Sequence, residues 1–242
     1  MLQAARKSDY RYFFQNRSAD VAISIICDFD GTVTPFDVTD ALLGNFAHPS
    51  WEEVEKDWLS GKISSRECMD RQVGLIEVSR EKLDTFLDTI PLTPGFDDFI
   101  TFCRSQRLDI LILSDGLDYA IKHILSRHGL GFVPVIANRL RFQGISRYRL
   151  EFPYSTPGCS SGVCKCAVAG VNSSRTLLIG DGKSDCCLAG RTSLVLAREG
   201  KDLLAHCRSR QYPHVAWKDF FDVRAALGHM LTSAPQALSA NG

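Results

Sequence analysis

Asp28 and Asp30 stand two apart in the run Cys27-Asp28-Phe29-Asp30-Gly31-Thr32-Val33-Thr34, directly after an apolar stretch. Residues two apart in an extended chain share a face, so both carboxylates reach one pocket. Two carboxylates that close repel, and either a cation joins them or one keeps a proton. Both arrangements are chemically useful. Mg²⁺ takes oxygen ligands and lets a carboxylate approach a phosphate dianion. One ionised Asp can then attack phosphorus while a protonated neighbour gives its proton to the leaving group. Gly31 permits a sharp exit from the strand. Taken alone, the pattern fits equally well a pair of turn-forming Asp residues that cap a strand.

Three further segments carry compatible chemistry. In Leu113-Ser114-Asp115-Gly116, a hydroxyl followed by backbone N–H groups at a helix start suits phosphate oxygens. The plain alternative is an N-cap, with Ser114 or Asp115 opening a helix at 117. In Gly180-Asp181-Gly182-Lys183-Ser184-Asp185, two carboxylates four apart flank residues that let the backbone approach a ligand, and they can hold a cation. Asp185 serves as well as a simple helix cap. Lys165 opens a helix just before that segment and can balance a transferring phosphoryl group, or stand solvated at the surface.

These residues need a frame that brings them together. Short apolar runs at Val21–Cys27, Asp109–Leu113, Phe132–Ala137, Thr176–Ile179, Ser193–Leu196 and His214–Trp217 alternate with helical patterns at 95–107, 117–128, 163–171, 184–190, 200–209 and 219–231. Such alternation predicts an α/β fold, a doubly wound parallel sheet with helices on both faces. These sheets place their sites at the carboxyl ends of the strands, where Asp28, Ser114 and Asp181 fall. From 38 to 90 no strand pattern occurs. Trp51, Val54, Trp58 and Leu59, and then Leu83, Phe86, Leu87 and Ile90, repeat at helical spacing and predict one apolar stripe per helix. This block reads as an inserted all-helical cap, or as a helical extension packed on the side of the sheet. Alternating residues at 139–156 predict a hairpin. The expected organisation is an N-terminal extension at 1–20, a core of 21–37 and 91–230, a cap of 38–90 and a flexible tail at 231–242. Thr34, Asp37 and Asp40, at the cap entrance, are the candidates to face a substrate. Asp37 suits a substrate amine or the cap of a helix from 38.

The order Asp-x-Asp, Ser, Lys, Asp-(x)3-Asp, each at a predicted strand of one sheet, resembles the haloacid dehalogenase superfamily over about residues 21–228. The resemblance implies a Rossmann-like core with a helical cap after the first motif, as in the phosphoserine phosphatase group. It implies that Asp28 is the nucleophile and Asp30 the general acid and base. Ser114, Asp115, Gly116 and Lys165 become the phosphate-binding set. Asp28, Asp30 (through its carbonyl), Asp181 and Asp185 become ligands of Mg²⁺. Asp30 argues against the dehalogenases, which lack this second Asp. Ser-Asp-Gly-Leu-Asp-Tyr at 114–119 and the Cys-rich stretch before Lys165 look most similar to the methionine-salvage phosphatases of 2-hydroxy-3-keto-5-methylthiopentenyl 1-phosphate. Phosphoserine and phosphocholine/phosphoethanolamine phosphatases are the alternatives. A catalytically idle binding module and a phosphotransferase or mutase are alternatives of another class.

Composition narrows the partners. The 242 residues include 28 Lys+Arg and 28 Asp+Glu, so no general basic surface favours nucleic acid or an anionic membrane. No apolar run approaches the ~20 residues of a membrane span. The first twenty residues lack the apolar core of a secretory signal, so the expected compartment is the cytoplasm. The expected partner is a small phosphorylated metabolite, and the expected state a monomer or homodimer. Nine cysteines without a secretory signal read as free thiols, with Cys27, Cys103 and Cys207 in apolar patterns as core residues. Cys159, Cys164 and Cys166 are too few for a structural zinc site, which takes four ligands. They read as thiols of a loop, with a Cys159–Cys164 disulfide possible under oxidation.

Overall fold

The structure, a computed structural model, describes residues 23–170 and 176–233. The expected extension at 1–20, the first two residues of the first predicted strand and most of the predicted tail lie outside them. Strands β1 (Ser24–Cys27), β2 (Asp109–Leu117), β3 (Val135–Gln143), β4 (Arg147–Glu151), β5 (Thr176–Gly180), β6 (Leu194–Arg198) and β7 (His214–Trp217) form one sheet in the order β4-β3-β2-β1-β5-β6-β7. All neighbours are parallel except the β3–β4 hairpin at one edge. The chain runs outward from β1 to β4, then returns to β5 on the other side of β1. That reversal opens a crevice at the carboxyl ends of β1 and β5.

Both faces of the sheet are covered, which is why β1 reads as an unbroken Ser-Ile-Ile-Cys. Ile25 and Cys27 belong to one buried cluster and Ile26 to the other, as period-two alternation requires. The first cluster is built against α5 (Phe96–Ser105), α6 (Asp118–Arg127) and α10 (Phe220–Ser233), where Phe96, Phe99 and Phe220 pack ring to ring. The second lies beneath α7 (Lys165–Ala169), α8 (Cys186–Ala189) and α9 (Asp202–Arg210). Each fully buried side chain of this size contributes roughly 1.5–3 kcal/mol, so the strand ends are anchored from both sides.

The block after β1 is helical, with α1 (Val38–Phe46), α2 (Trp51–Leu59), α3 (Ser65–Gly74) and α4 (Arg80–Leu87). Asp37, Ser64 and Ser79 cap α1, α3 and α4 by accepting the N–H groups of Asp40, Glu67 and Lys82. Val38, Leu42, Leu43, Val73, Leu83 and Leu87 join the same apolar cluster as Ile25 and Cys27, so cap and sheet share one core. The tie continues at the hairpin, where Val78 N–H donates to the Ser146 carbonyl (3.0 Å) and the Tyr148 hydroxyl to the Val78 carbonyl (2.7 Å). The apolar stripe expected on the second of these helices is not buried. α2 has no buried residue, and Leu59 is 65% exposed. The helix stands over the crevice, and Trp58 lines a cavity instead of packing into the core.

Strand β2 runs four residues beyond its predicted end. Its register against β3 breaks between Leu113 and Leu117, and α6 starts only at Asp118, with no side-chain cap. The Ser114-Asp115-Gly116 segment is therefore an irregular strand end, not a helix start, and the N-cap reading of Ser114 or Asp115 does not hold. A register break of this kind re-aims side chains at a sheet rim.

Candidate active site

A cavity of about 600 Å³ opens at the carboxyl ends of the strands, beneath the cap helices. Asp28 sits where β1 ends, its N–H donating to the Ile179 carbonyl of β5 (2.9 Å). Its Oδ1 accepts the Phe29 N–H (2.8 Å) and takes the Lys165 ammonium at 2.9 Å. The same ammonium donates to Asp185 Oδ1 at 2.7 Å. Lys165 is 1% exposed and Asp185 fully buried, so this is a desolvated bridge. Lys165 comes from the start of α7, and Asp185 from the single 3₁₀ turn Lys183–Asp185 after β5. Chain-distant segments thus meet within hydrogen-bond reach.

One carboxylate oxygen each of Asp28, Asp181 and Asp185 lies within 4.8 Å of the others. Among the described residues this is the one group of three or more His, Cys, Asp or Glu ligand atoms so close together. The donors are hard oxygens, which suits Mg²⁺. Burial and the nearby Asp28 carboxylate push Asp181 up to about 6 and Asp185 to about 8, even against the opposing pull of Lys165. Burial alone would lower the Lys165 pKa, but Asp185 and Asp28 outweigh it and hold the ammonium charged.

Asp30 points elsewhere. Its Oδ1 accepts the Val38 N–H at the start of α1 (2.9 Å), and its carboxylate lies against Gly116, where a Cβ would overlap it. Burial first, and the Asp37 carboxylate next, hold Asp30 well above the usual carboxylate range. Its side chain is thus outside the Asp28–Asp181–Asp185 oxygen cluster. Gly31 has φ +68°, and a Cβ there would collide with the Asp181 carboxylate, so only glycine lets this turn pass.

The Ser114 hydroxyl, buried, accepts the Gly116 N–H (2.9 Å) and lines the cavity with Asp115 and Gly116. Asp115 spends its carboxylate on structure. Its Oδ1 accepts the Val163 N–H (2.8 Å) and the Asn138 amide (3.0 Å), tying β2 to β3 and to the loop that delivers Lys165. Asp37 and Asp40 line the cavity, and Asp37 also caps α1. Thr34, expected to face substrate, is buried with its hydroxyl donating to the Phe29 and Phe36 carbonyls. It braces the loop and does not line the cavity.

Several residues of the site escaped sequence reasoning. The Arg198 guanidinium, at the end of β6, donates to the Gly31 and Pro35 carbonyls and lies 5.5 Å from the Trp217 ring, pinning the loop after Asp28. Its one legible signal was its place after a strand. Lys201 approaches Asp181 at 3.7 Å. Glu55, Trp58 and Gln72 reach the cavity from the cap. All nine cysteines are free thiols. Burial raises the Cys159 and Cys187 thiols, and Cys164 and Cys166 respectively raise them further, so these cysteines sit in two neighbouring pairs, the second of which sequence spacing did not suggest. Among the described residues no helix is long and apolar enough to cross a membrane.

A model of the haloacid dehalogenase-like hydrolases matches residues 25–190. The chain is similar to a Brevibacillus brevis protein named 2-hydroxy-3-keto-5-methylthiopentenyl-1-phosphate phosphatase, with 32% identity over 82% of this chain and 92% of that one. A protein of the same name from Geobacillus kaustophilus is 30% identical over 85% of this chain and 96% of its own. Among solved structures, a phospho-aspartyl intermediate analogue of phosphoserine phosphatase shares the fold, with a TM-score of 0.63 at 19% identity over 86% of this chain and 99% of that one.

Proposed function

The chain belongs to the haloacid dehalogenase-like hydrolases, and on that premise we propose that it is a Mg²⁺-dependent phosphomonoesterase. Its substrate is a small phosphorylated metabolite, and its intermediate an aspartyl-phosphate on Asp28. The observation that supports this best is the convergence of Asp28, Lys165, Asp181 and Asp185 on one another, with Asp28, Asp181 and Asp30 lining the cavity.

An Asp28 carboxylate oxygen attacks phosphorus and the P–O bond to the alcohol breaks. The departing oxygen takes the proton that Asp30 holds, consistent with an acid whose burial keeps it protonated to higher pH. In the second step Asp30, now ionised, accepts a proton from water. The water oxygen attacks phosphorus, the Asp28–phosphorus bond breaks, and inorganic phosphate leaves. Lys165 holds Asp28 in place and balances charge on the transferring group. The Ser114 hydroxyl, fixed by Gly116 N–H, is placed to meet a phosphate oxygen. Asp28, Asp181 and Asp185 would hold Mg²⁺, which supplies positive charge against the phosphate dianion.

Phosphate release from p-nitrophenyl phosphate tests the reading. Turnover requires Mg²⁺, stops in EDTA, and disappears in Asp28→Asn with the fold retained by circular dichroism. Full activity in Asp28→Asn removes the nucleophile assignment. Metal binding without turnover of any monophosphate favours a binding module instead.

A further inference from the structure

The register of β2 against β3 breaks between Leu113 and Leu117, beside the phosphate-facing residues, and the side chain of Asn138 bridges the break. Asn138 pairs with Leu117 across the ladder. Its amide Nδ2 donates to the Asp115 backbone carbonyl and to Asp115 Oδ1 (3.0 Å). The same Oδ1 accepts the Val163 N–H (2.8 Å). Asn138 thus stands behind two chain-distant segments. Ser114 directly precedes Asp115 on one, and Lys165 follows closely after Val163 on the other.

The amide is held in this orientation against its own interest. Asn138 is fully buried, and its Oδ1 has no hydrogen-bond partner among the described residues. Turning the amide over would set that oxygen against the Asp115 carbonyl and carboxylate, both acceptors, so the donors must face Asp115. Buried polar atoms are nearly always paired, and an unpaired one counts against stability. The gain from this amide therefore lies in what Nδ2 holds.

The packing around it leaves no slack. A Cβ on Gly162 would overlap both amide atoms of Asn138, and Gly162 has no positive φ, so the missing side chain serves close approach and not a turn. The loop before Lys165 is gripped on its other sides as well. Cys164 N–H donates to the Tyr154 carbonyl (3.0 Å), and Arg66 N–H, in the first turn of cap helix α3, donates to the Ser160 carbonyl (2.9 Å). Asn138 does not line the cavity, whereas Ser114 does and the Lys165 ammonium meets Asp28 (2.9 Å). Its effect on a bound ester passes only through the residues it fixes.

We propose that Asn138 is a positioning residue: by holding Asp115, it sets the Ser114 hydroxyl and the Lys165 ammonium at the separation that a transferring phosphoryl group requires. The assignment rests on the phosphatase reading and deepens it. Asp115 serves through the place of its Oδ1 acceptor, not through charge offered to the substrate. Groups fixed in advance need no rearrangement as charge develops on the phosphate oxygens, so their placement acts on the chemical step more than on binding.

The test is hydrolysis of p-nitrophenyl phosphate by the Mg²⁺-loaded full chain, with thermal melts beside it. Asn138→Leu keeps the branched shape and removes the donors. It should lower kcat roughly 10–100-fold, the cost of displacing reacting groups by up to about 1 Å, with KM little changed. Asp115→Leu should do the same, and the double variant should be no slower than the worse single one, because both break one linkage. Asp115→Asn keeps an Oδ1 for both donors and should stay close to wild type. Gly162→Ala crowds the amide without altering its chemistry and should reproduce the kcat loss, which covers an Asn138→Leu that does not fold. An unchanged kcat in Asn138→Leu or Gly162→Ala, with only the melting temperature lowered, overturns the proposal. So do losses that multiply in the double variant, or an Asp115→Asn as slow as Asp115→Leu. In each case an active wild type leaves the phosphatase standing. No turnover by the wild type overturns both.

Discussion

Lys165→Met isolates the electrostatics on which the site depends. The ammonium lies 2.7 Å from Asp185 and 2.9 Å from Asp28, and the side chains are 1%, 0% and 7% exposed. Methionine fills most of the volume but carries no charge. Removing one partner of a buried ion pair typically costs about 3–5 kcal/mol, a large share of the ~5–15 kcal/mol that holds a domain folded. The cost depends on pH in a definite direction. With lysine present Asp185 already titrates near 8, far above its unfolded value, and without lysine it moves higher still. An acid whose folded pKa is raised takes up a proton on folding, so its penalty is full above the folded pKa and fades as pH falls toward the unfolded one. In EDTA, urea unfolding above about pH 8 should therefore show the ~3–5 kcal/mol loss. Near pH 5.5, with Asp185 protonated, the loss should shrink to roughly 1–2 kcal/mol of missing hydrogen bonds. A loss below about 1 kcal/mol in alkali, or one equal at both pH values, would refute the claim that a desolvated lysine offsets these carboxylates.

Two further outcomes follow from the same geometry. In wild-type protein stripped of metal, stability should rise as pH falls from above 8 toward 6, because Asp185 (about 8) and Asp181 (about 6) are both raised acids. Thermal melts across that range should lose this slope in Mg²⁺, since a metal binds the ionised forms. Gly116→Ala should lower kcat by about 100-fold with little change in melting temperature. Its φ is ordinary, so alanine adds no backbone strain, yet the new Cβ must displace the Asp30 carboxylate. Unchanged kcat would mean that the placement of Asp30 is not critical.

The sequence spoke most clearly where local rules dominate. The run His214–Trp217 is β7 residue for residue, because a short apolar segment between helices has nowhere to go but the sheet. Asp28 and Asp181 stand at the carboxyl ends of adjacent parallel strands, so placing the apolar runs went far toward placing them. What stayed hidden depended on three-dimensional neighbours. The end of β2 is not legible in the sequence because its register break against β3 is a tertiary event with no local signal. The stripe that includes Trp58 predicts a helix but not what it faces, because spacing cannot distinguish an apolar face that meets the sheet from one that roofs a cavity. Arg198 and Glu55 carry no local signal, and their roles arise only when the loop after Asp28 and helix α3 arrive beside them.

Charge along the cavity then links metal and substrate. Asp28, Asp30, Asp37, Asp40, Glu55 and Asp181 all line it, while the lining cations, Lys183 and Lys201, stand at the rim. A doubly negative ester enters such a field at a cost unless positive charge arrives with it. Mg²⁺ at the floor removes part of that cost before the ester binds, and an ester already on Asp28 offers the metal further oxygen ligands. Each therefore strengthens the other by the same factor, as thermodynamic linkage requires. The excess of acids is thus a means of admitting phosphate only in the company of a metal cation.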